Sequence, residues 1–251
     1  MTDTVISKCD NGVRSIILNR PDRLNAINPE LLKDFLTALR EGNADPETRV
    51  MVISGAGRAF CAGDDLKEFE TQVGTEEETR AYIESIQEIT REIVLGNKIV
   101  LGAIHGWAVG GGLEWVINCD FAIMAEGTRS FFPEISLGIF VTGAVTTILP
   151  KLVGLQKAKE LILLGERFDA AQAMDWGLVW KVVPEADLMK ETLAMAARIA
   201  ELPELAVSDL KRVINRACDL DVEAAMKLET DATVRGFLDP STAERISKFS
   251  Q

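Results

Sequence analysis

Histidine, tyrosine and cysteine are scarce in this chain. Its 251 residues include one histidine, one tyrosine and four scattered cysteines, none of them in a C-x-x-C pair. Structural zinc sites and disulfide frameworks need clustered ligands or paired cysteines, so we expect neither here. We therefore predict a protein without a bound metal, from a reducing compartment.

Basic residues are also under-represented. Lys and Arg total 27 against 39 Asp and Glu, which gives a formal net charge of −12. Because phosphate backbones bind clustered Lys and Arg, we expect no nucleic-acid partner. No basic run or basic amphipathic helix is present that would bind an anionic membrane. The N-terminal residues form neither a basic nor an apolar leader, so we expect a cytoplasmic protein.

The longest apolar stretch covers residues 99–117. It contains five glycines together with His105 and Glu114, a composition unlike that of a membrane-spanning helix. We interpret it as a buried strand, a glycine-rich loop and the start of a helix.

Alternating apolar residues and turn signals predict an α/β protein. Asn11-Gly12 between two apolar runs predicts a hairpin, and Asn28-Pro29 predicts the start of a helix that ends at Gly42. Further strands are predicted at 50–54, 99–104, 121–125, 129–132 and 178–183, and further helices at 75–95, 113–118, 143–153, 156–164 and beyond 186. This order predicts an α/β core over 1–195 and a helical region over 196–251. We expect the helical region to form subunit contacts, because its apolar stripes follow an already complete core.

The three consecutive glycines at 110–112 join a predicted strand to a predicted helix. The first N–H groups of a helix have no partners within the helix and favour negative charge, and glycine lets a substrate approach the backbone closely. The segment contains no G-x-G-x-x-G motif, and Gly112 rather than Lys follows the G-x-x-x-x-G that ends at Gly111. It is therefore not a nucleotide-binding loop. It predicts a site that stabilises an oxyanion, or else a tight packing turn.

Two carboxylates lie in apolar segments near these glycines. Glu114 falls in the first turn of the predicted helix, and Glu134 is the only charged residue in its segment. Two such groups are typical of general acid–base chemistry. We expect the helix N-terminus to keep Glu114 ionised and burial to raise the pKa of Glu134, which makes Glu134 the proton donor. The alternatives are a charge–dipole contact for Glu114 and a surface or cap position for Glu134.

The segment at 60–68 forms a loop of small residues that leads into acidic residues. For the side chains of Asp64 and Asp65 we prefer a helix-capping role, while the backbone N–H of Asp64 could serve as a second hydrogen-bond donor to a ligand. Cys61 and His105 could instead form a nucleophilic pair, but nothing in the sequence places them together.

Short motifs run in a fixed order along nearly the whole chain. They are Asn19-Arg20-Pro21, Leu24-Asn25-Ala26, residues 60–68, 110–114 with Cys119-Asp120, Pro133-Glu134, Leu137-Gly138-Ile139, Leu152-Val153-Gly154, Gly177-Leu178-Val179 and Val183-Pro184. In this order they resemble the crotonase (enoyl-CoA hydratase/isomerase) superfamily. The resemblance implies a spiral of strand-strand-helix repeats with a helical C-terminal trimerisation region. It also implies an acyl-CoA substrate and a homotrimer, or a homohexamer built as a dimer of trimers.

The resemblance also implies roles for individual residues. Glu114 and Glu134 match the catalytic glutamates, and the amides of Asp64 and Gly111 match the oxyanion donors. Contacts to coenzyme A are implied for Arg23, Leu24, Asn25, Ala26, Ala62, Gly63, Asp64, Lys67, Gly110 and Gly111. No cofactor is required beyond the coenzyme A that the substrate carries. Because both glutamates are present, a hydratase is favoured, with reversible syn addition of water across the 2,3 double bond of an enoyl-CoA.

Two departures from the family pattern leave the acyl group open. Asp64 replaces a small or apolar residue, so its carboxylate either lines the acyl pocket or turns away into a helix cap. Phe140-Val141-Thr142 replaces part of a glycine-rich segment near the acyl end of the site. The alternatives are a double-bond isomerase, a thioester or C–C hydrolase, or a non-catalytic relative that binds coenzyme A or RNA.

Overall fold

The computed structural model describes residues 3–68 and 74–249. It begins with the predicted hairpin, in which β1 (Val5–Asp10) pairs antiparallel with β2 (Val13–Leu18). The turn residues Asn11 and Gly12 both have positive φ angles, of 48° and 80°. Such angles are what a two-residue turn of this kind requires, and they explain the Asn-Gly sequence.

The larger sheet has six strands in the order β1-β2-β3-β4-β6-β9. From β2 onward all neighbouring strands are parallel. The strands beyond the hairpin are β3 (Val50–Gly55), β4 (Ile99–Ile104), β6 (Phe121–Ala125) and β9 (Lys181–Val183). Parallel neighbouring strands need crossover connections, and these connections contain helices and the strands of the second sheet.

The second sheet has the order β5-β7-β8, with β5 (Trp107–Val109), β7 (Arg129–Phe131) and β8 (Phe168–Asp169). Two isolated bridges extend it, one from Ala108 to Cys61 and one from Asp64 to Ile27. Successive crossovers therefore each add a strand to the first sheet and a short extended segment to the second. This arrangement is the predicted spiral of strand-strand-helix units.

The central strands β3, β4 and β6 of the larger sheet are buried on both faces. Along β3, Met51 and Ile53 face one apolar cluster, while Val50 and Val52 face the other. The first cluster includes side chains of α1 (Pro29–Ala44), α2 (Glu76–Val94) and α3 (Gly111–Asn118). The second is covered by α7 (Leu188–Ala200). Burial on both faces explains why the parallel strands are continuously apolar.

The remaining helices follow the second sheet or close the chain. They are α4 (Val145–Val153), α5 (Leu155–Leu164), α6 (Ala170–Asp175), α8 (Glu204–Ala217), α9 (Val222–Leu238) and α10 (Pro240–Phe249). The predicted division between 195 and 196 falls inside α7, and it stays a prediction.

A buried lysine on α8 attaches the C-terminal helices to the core. Lys211 Nζ donates to the carbonyls of Ile93 and Lys98 and to the Asp120 carboxylate at 2.6–2.7 Å.

Some of the predicted elements were wrong in detail. Helix α1 does not end at Gly42 but continues to Ala44, and a Cβ at Gly42 would lie 2.5 Å from Met51 Sδ. The strand predicted at 178–183 begins only at Lys181, and the helix predicted from 143 begins at Val145. Strands β5 and β8 were not predicted: β5 falls in the segment interpreted as a glycine-rich loop, and β8 has only two residues.

Candidate active site

Glu114 lies in the first turn of α3, and its carboxylate is fixed by three hydrogen bonds. The side chain is 1% exposed. Oε1 accepts from the Thr142 N–H at 2.9 Å, and Oε2 accepts from the Thr142 hydroxyl at 2.9 Å and the Gly143 N–H at 2.7 Å. A Cβ at Gly143 would lie 2.8 Å from Oε2, so glycine permits this close approach. The three donors hold the carboxylate in one orientation.

Glu134 opens a 3₁₀ helix (Glu134–Leu137) and has different surroundings. Its side chain is 5% exposed, and within the described part of the chain Oε2 has no hydrogen-bond partner. Burial raises the pKa of Glu134 to about 7, and the nearby negative charges of Glu114 and Asp64 add to the rise. The predicted effect of desolvation on Glu134 is therefore confirmed.

Asp64 and Gly111, whose backbone amides are the predicted oxyanion donors, are placed near the glutamates by different elements. On either side of Asp64, Gly63 O accepts from Ile27 N–H and Asp65 N–H donates to Ile27 O, each at 2.8 Å. Because amides alternate in direction along an extended chain, the Asp64 N–H points away from Ile27. Gly111 is the first residue of α3, so its N–H has no partner within the helix. Both residues line one cavity.

The side chain of Asp64 also faces this cavity and is not a helix cap. Asp65 takes the local role instead, because its carboxylate accepts from the Lys67 N–H at 3.3 Å and pairs with Arg20 at 3.1 Å. Burial raises the pKa of Asp64 to about 6, and the charge of Glu114 adds to the rise. Of the two orientations left open for the Asp64 carboxylate, the one lining the pocket is correct.

The cavity has a volume of about 440 Å³ and joins these groups. Most of its lining is apolar, and its polar part is made by the three carboxylates and a few uncharged side chains. Its lining residues are Ile27, Asp64, Leu66, Thr79, Tyr82, Ile83, Ile86, Gln87, Gly111, Glu114, Glu134, Ile139, Phe140, Val141 and Thr142. Such an apolar cavity with a few convergent polar groups is typical of a small-molecule site.

The two segments predicted to contact coenzyme A lie side by side. The Ala62 N–H donates to Leu24 O at 3.1 Å, and Ile27 N–H donates to Gly63 O at 2.8 Å. The Asn25 side chain is fully buried, accepts from the Arg20 N–H and donates to the carbonyls of Ala56 and Ala59. The Asn25 side chain therefore fixes the conformation of segment 23–26 through these hydrogen bonds.

The other predicted contact residues surround this pair of segments. Arg23 and Lys67 are exposed, Ala26 is buried, and Gly110 precedes α3 with a φ of 51°. A Cβ at Gly110 would lie 2.7 Å from Glu134 Oε1. Gly110 is thus required by the backbone angle and by the space that Glu134 occupies.

Two residues of the site were not recognised from the sequence. Tyr82 on α2 lines the cavity next to Asp64, and burial together with that carboxylate raises its pKa. Its position on the apolar face of α2, beside Ile83 and Ile86, is the signal that could have identified it. Thr142 lies in the segment that departs from the family pattern, but its bonds to Glu114 join positions 28 residues apart.

The alternative pair of Cys61 and His105 is not supported. His105 Nε2 lies 2.9 Å from Gly57 O. Cys61 is fully buried, and burial raises the pKa of its thiol to about 12, which disfavours a nucleophilic thiolate.

Metal sites and membrane-spanning helices are both absent from residues 3–68 and 74–249. No set of three or more His, Cys, Asp and Glu side chains is arranged to hold a metal ion. None of the described helices combines the length and hydropathy needed to cross a bilayer.

Comparison with known proteins identifies the family. The profile of Enoyl-CoA hydratase/isomerase matches residues 8–249. Crotonyl-CoA hydratase of Syntrophomonas wolfei is 32% identical over 248 residues, 98% of this chain and 95% of that protein. 1,2-Epoxyphenylacetyl-CoA isomerase of Escherichia coli is 30% identical over 233 residues, 92% of this chain and 89% of that protein.

The solved structures show the same relationship. The crystal structure of enoyl-CoA hydratase from Bacillus anthracis superposes with a TM-score of 0.93 at 32% identity, over 98% of this chain and 96% of that one. The spiral of strand-strand-helix units with C-terminal helices is therefore the crotonase fold. The chain belongs to the enoyl-CoA hydratase/isomerase family.

Proposed function

We propose that this enzyme catalyses reversible syn addition of water across the 2,3 double bond of an enoyl-CoA. One observation carries the proposal: Glu114 and Glu134 line the same cavity as Asp64 and Gly111, the two residues whose amides are the predicted donors. Two carboxylates and two convergent donors are what hydration of a conjugated thioester needs.

The two amides act on the thioester carbonyl. The N–H groups of Asp64 and Gly111 donate to its oxygen, which draws electrons from the double bond and makes the β carbon electrophilic. As water adds, negative charge moves to that oxygen, where fixed donors stabilise the transition state more than the ground state. Removing one such donor typically costs about 3–4 kcal/mol of barrier.

The two glutamates hold one water molecule between them. Glu114, oriented by Thr142 and Gly143, removes a proton from this water as its oxygen bonds to C3. Glu134, whose pKa is raised to about 7, delivers a proton to C2. Because both groups act from one face of the alkene, oxygen and proton arrive on the same face, and the reverse reaction uses the same path.

Coenzyme A binds outside the reacting centre, in this proposal, along the paired segments 23–26 and 62–64 and at 110–111. Arg23 and Lys67 are exposed there and supply local positive charge in a chain whose net charge is −12. Contacts with this remote part of the substrate provide binding energy that holds the acyl group in place. No cofactor beyond the coenzyme A of the substrate takes part.

The C-terminal helices form the subunit interface of a homotrimer or a dimer of trimers in this proposal. They expose large apolar side chains, among them Leu210 at 58%, Val222 at 74% and Phe237 at 77%. Exposed apolar surface of this kind marks an interaction site. Light scattering at micromolar concentration is expected to give a trimer or hexamer, and a stable monomer would contradict this assignment.

We also propose that the enzyme is located in the cytoplasm.

A panel of 2-enoyl-CoA thioesters of differing length and branching tests the reaction. The expected result is loss of the conjugated thioester absorbance and formation of the 3-hydroxyacyl-CoA, identified by mass spectrometry. Migration of the double bond would identify an isomerase, and free coenzyme A or a cleaved carbon chain would identify a hydrolase. Binding without turnover across the panel would identify a non-catalytic relative.

A further inference from the structure

Arg20 does not line the cavity, but its guanidinium joins two segments that meet at the site. Nη1 donates to the Ala26 carbonyl and, at 3.1 Å, to Asp65 Oδ2, and Nη2 donates to the same Asp65 oxygen at 3.1 Å. The side chains of Arg20 and Asp65 are 12% and 5% exposed. Because a shielded ion pair is weakly screened by salt and solvent, this pair can hold the two segments at a fixed distance.

The residues that Arg20 contacts flank the backbone bridge at Asp64. Ile27 and Asp64 are the bridged residues, and Arg20 contacts the residue before Ile27 and the residue after Asp64. The bridge itself consists of two hydrogen bonds, from Ile27 N–H to Gly63 O and from Asp65 N–H to Ile27 O, each at 2.8 Å. One guanidinium therefore spans both strands of a very short pairing.

Further hydrogen bonds fix Arg20 relative to helix α1. Nη2 also donates to Glu68 Oε1 at 3.0 Å, and Glu68 Oε2 accepts from Asn28 Nδ2 at 3.1 Å. Asn28 is the N-cap of α1, where its Oδ1 accepts from Leu31 N–H at 3.0 Å. The backbone N–H of Arg20 donates to Asn25 Oδ1 at 2.8 Å. The guanidinium thus has a defined position, and segment 65–68 is held by it.

The segment on the other side of Asp64 is held by different contacts. Cys61 forms two backbone hydrogen bonds with β5, each at 3.0 Å. These bonds place residues 61–63 against the strand that leads to Gly111. The Asp64 peptide therefore lies between contacts to β5 on one side and contacts to Ile27 and Arg20 on the other.

We propose that Arg20, through its ion pair with Asp65, is a positioning residue that aligns the Asp64 N–H with the thioester oxygen. This inference rests on the proposed function, in which that N–H is one of two oxyanion donors. A donor stabilises the transition state only when it is aimed at the position of the developing charge. Arg20 therefore influences the rate through the Asp64 peptide, without touching the substrate.

Arg20→Lys tests the alignment while it keeps the positive charge. A lysine ammonium is a point charge on a flexible stem, so it cannot reproduce the bonds of a planar guanidinium to Ala26 O and Asp65 in the same geometry. Because a misplacement of about 1 Å can lower a rate by about 10²-fold, we expect kcat for the best 2-enoyl-CoA to fall by about 10-fold to 100-fold. The change in KM is expected to be smaller than the change in kcat.

The carbonyl stretching frequency of a bound thioester reports the alignment directly. Butanoyl-CoA labelled with ¹³C at the carbonyl has no double bond to hydrate, and hydrogen bonds to its oxygen lower the frequency. In infrared difference spectra we expect wild-type protein to lower this frequency relative to the free thioester, and Arg20→Lys to lose a large part of that shift. Asp65→Asn should lose a similar part. The double variant should lose little more than either single variant, because both substitutions act on one ion pair.

Arg14→Lys is the matched control. The Arg14 side chain is 13% exposed and pairs with Asp45 at 2.8 Å, and neither residue lines the cavity. Like Arg20→Lys, this substitution removes a shielded guanidinium that pairs with an aspartate. Thermal unfolding shows how far each variant affects the fold, while kcat and the carbonyl frequency of Arg14→Lys should stay at wild-type values.

The outcomes distinguish this inference from the hydratase proposal. The full wild-type carbonyl shift in folded Arg20→Lys overturns the positioning role and leaves the hydratase proposal intact. If wild-type protein shifts the carbonyl but hydrates no enoyl-CoA, the hydratase proposal fails, and the infrared comparison still tests Arg20. If wild-type protein binds butanoyl-CoA without shifting its carbonyl, the donor assignment and the role of Arg20 are both wrong. Should Arg20→Lys not fold, Asp65→Asn gives the same comparison, and a full shift in that variant overturns the role.

Discussion

The two sides of the candidate cavity hold a glutamate side chain in opposite ways. On the side formed by α3 and residues 142–143, Glu114 is fixed by three donors from two residues. On the side formed by the 3₁₀ helix, Glu134 is almost as deeply buried, but one of its oxygens has no partner among the described residues. In the proposed mechanism, this difference makes Glu114 the oriented base and Glu134 the acid that titrates.

Glycine makes both environments possible. Gly143 lets a backbone amide reach Glu114, and Gly110 leaves the space that Glu134 occupies. The difference between the two sides therefore depends on these two glycines as well as on the glutamates. Substitutions of the glutamates, or of the residues that position them, are expected to lower activity to different extents.

Removing either carboxylate is expected to have the largest effect. Glu114→Gln and Glu134→Gln should each lower kcat by about 10²-fold to 10⁴-fold, the range of general acid–base groups. At position 114 the new amide would also direct a donor toward the donors of Thr142 and Gly143. Steady-state kinetics on the best enoyl-CoA measure the effect, with thermal unfolding to show that both variants fold. Near-wild-type turnover by either variant would rule out a mechanism that uses two carboxylates.

A substitution that displaces Glu114 without changing it comes next. In Gly143→Ala the added Cβ would lie 2.8 Å from Oε2, so the carboxylate must move. A misplacement of about 1 Å can lower the rate by about 10²-fold. The control is Gly127→Ala, where a Cβ meets nothing within 4 Å and kcat should stay unchanged. Equal kcat values for the two variants would mean that the orientation of Glu114 is unimportant.

Loss of a single donor should have a smaller effect. Thr142→Val keeps the shape and the backbone N–H but removes the hydroxyl at 2.9 Å from Oε2. Because a hydrogen bond to a charged group contributes about 1.5–3 kcal/mol, we expect kcat to fall by about 10-fold or somewhat more. Thr142→Ser, which restores the hydroxyl, should recover most of the activity. If Ser and Val behave alike, the hydroxyl has no part in orienting Glu114.

The smallest effect concerns the pH profile. The mechanism needs one proton on the glutamate pair, and Glu134 has a pKa raised to about 7, so kcat/KM should fall as the pH rises through about 7. Because hydration consumes no net proton, its equilibrium constant does not change with pH. Dehydration must therefore show the same descending limb of the pH profile. Asp64→Asn removes a charge that raises the pKa of Glu134, so the limb should move to lower pH. Profiles measured in both directions check this, and an unmoved limb in Asp64→Asn would exclude Glu134 as the group that titrates.

Local sequence signals were enough for most of the regular elements and for selecting Glu114 and Glu134 as a pair of candidate carboxylates. Asn11-Gly12 and Asn28-Pro29 each mark an element boundary through a local rule. The isolation of Glu134 among apolar residues predicted its raised pKa correctly. These features could be predicted because they depend on neighbours within a few positions along the chain.

Features that depend on distant segments could not be predicted from the sequence. The Asp64 side chain faces the cavity because residues on either side of it pair with Ile27, 37 positions earlier in the numbering. The bonds from Thr142 to Glu114 and the position of Tyr82 beside Asp64 likewise arise from the packing of separate crossovers. Their sequence signals fit ordinary core residues equally well.

The origin of the product oxygen tests the central claim most directly. The reaction is run in ¹⁸O-labelled water with the best 2-enoyl-CoA, and the products are examined by mass spectrometry. The account predicts one labelled oxygen at C3 of the 3-hydroxyacyl-CoA, with the thioester intact. Label in a released carboxylate, with none at C3 for any thioester of a broad panel, would contradict it and identify a hydrolase.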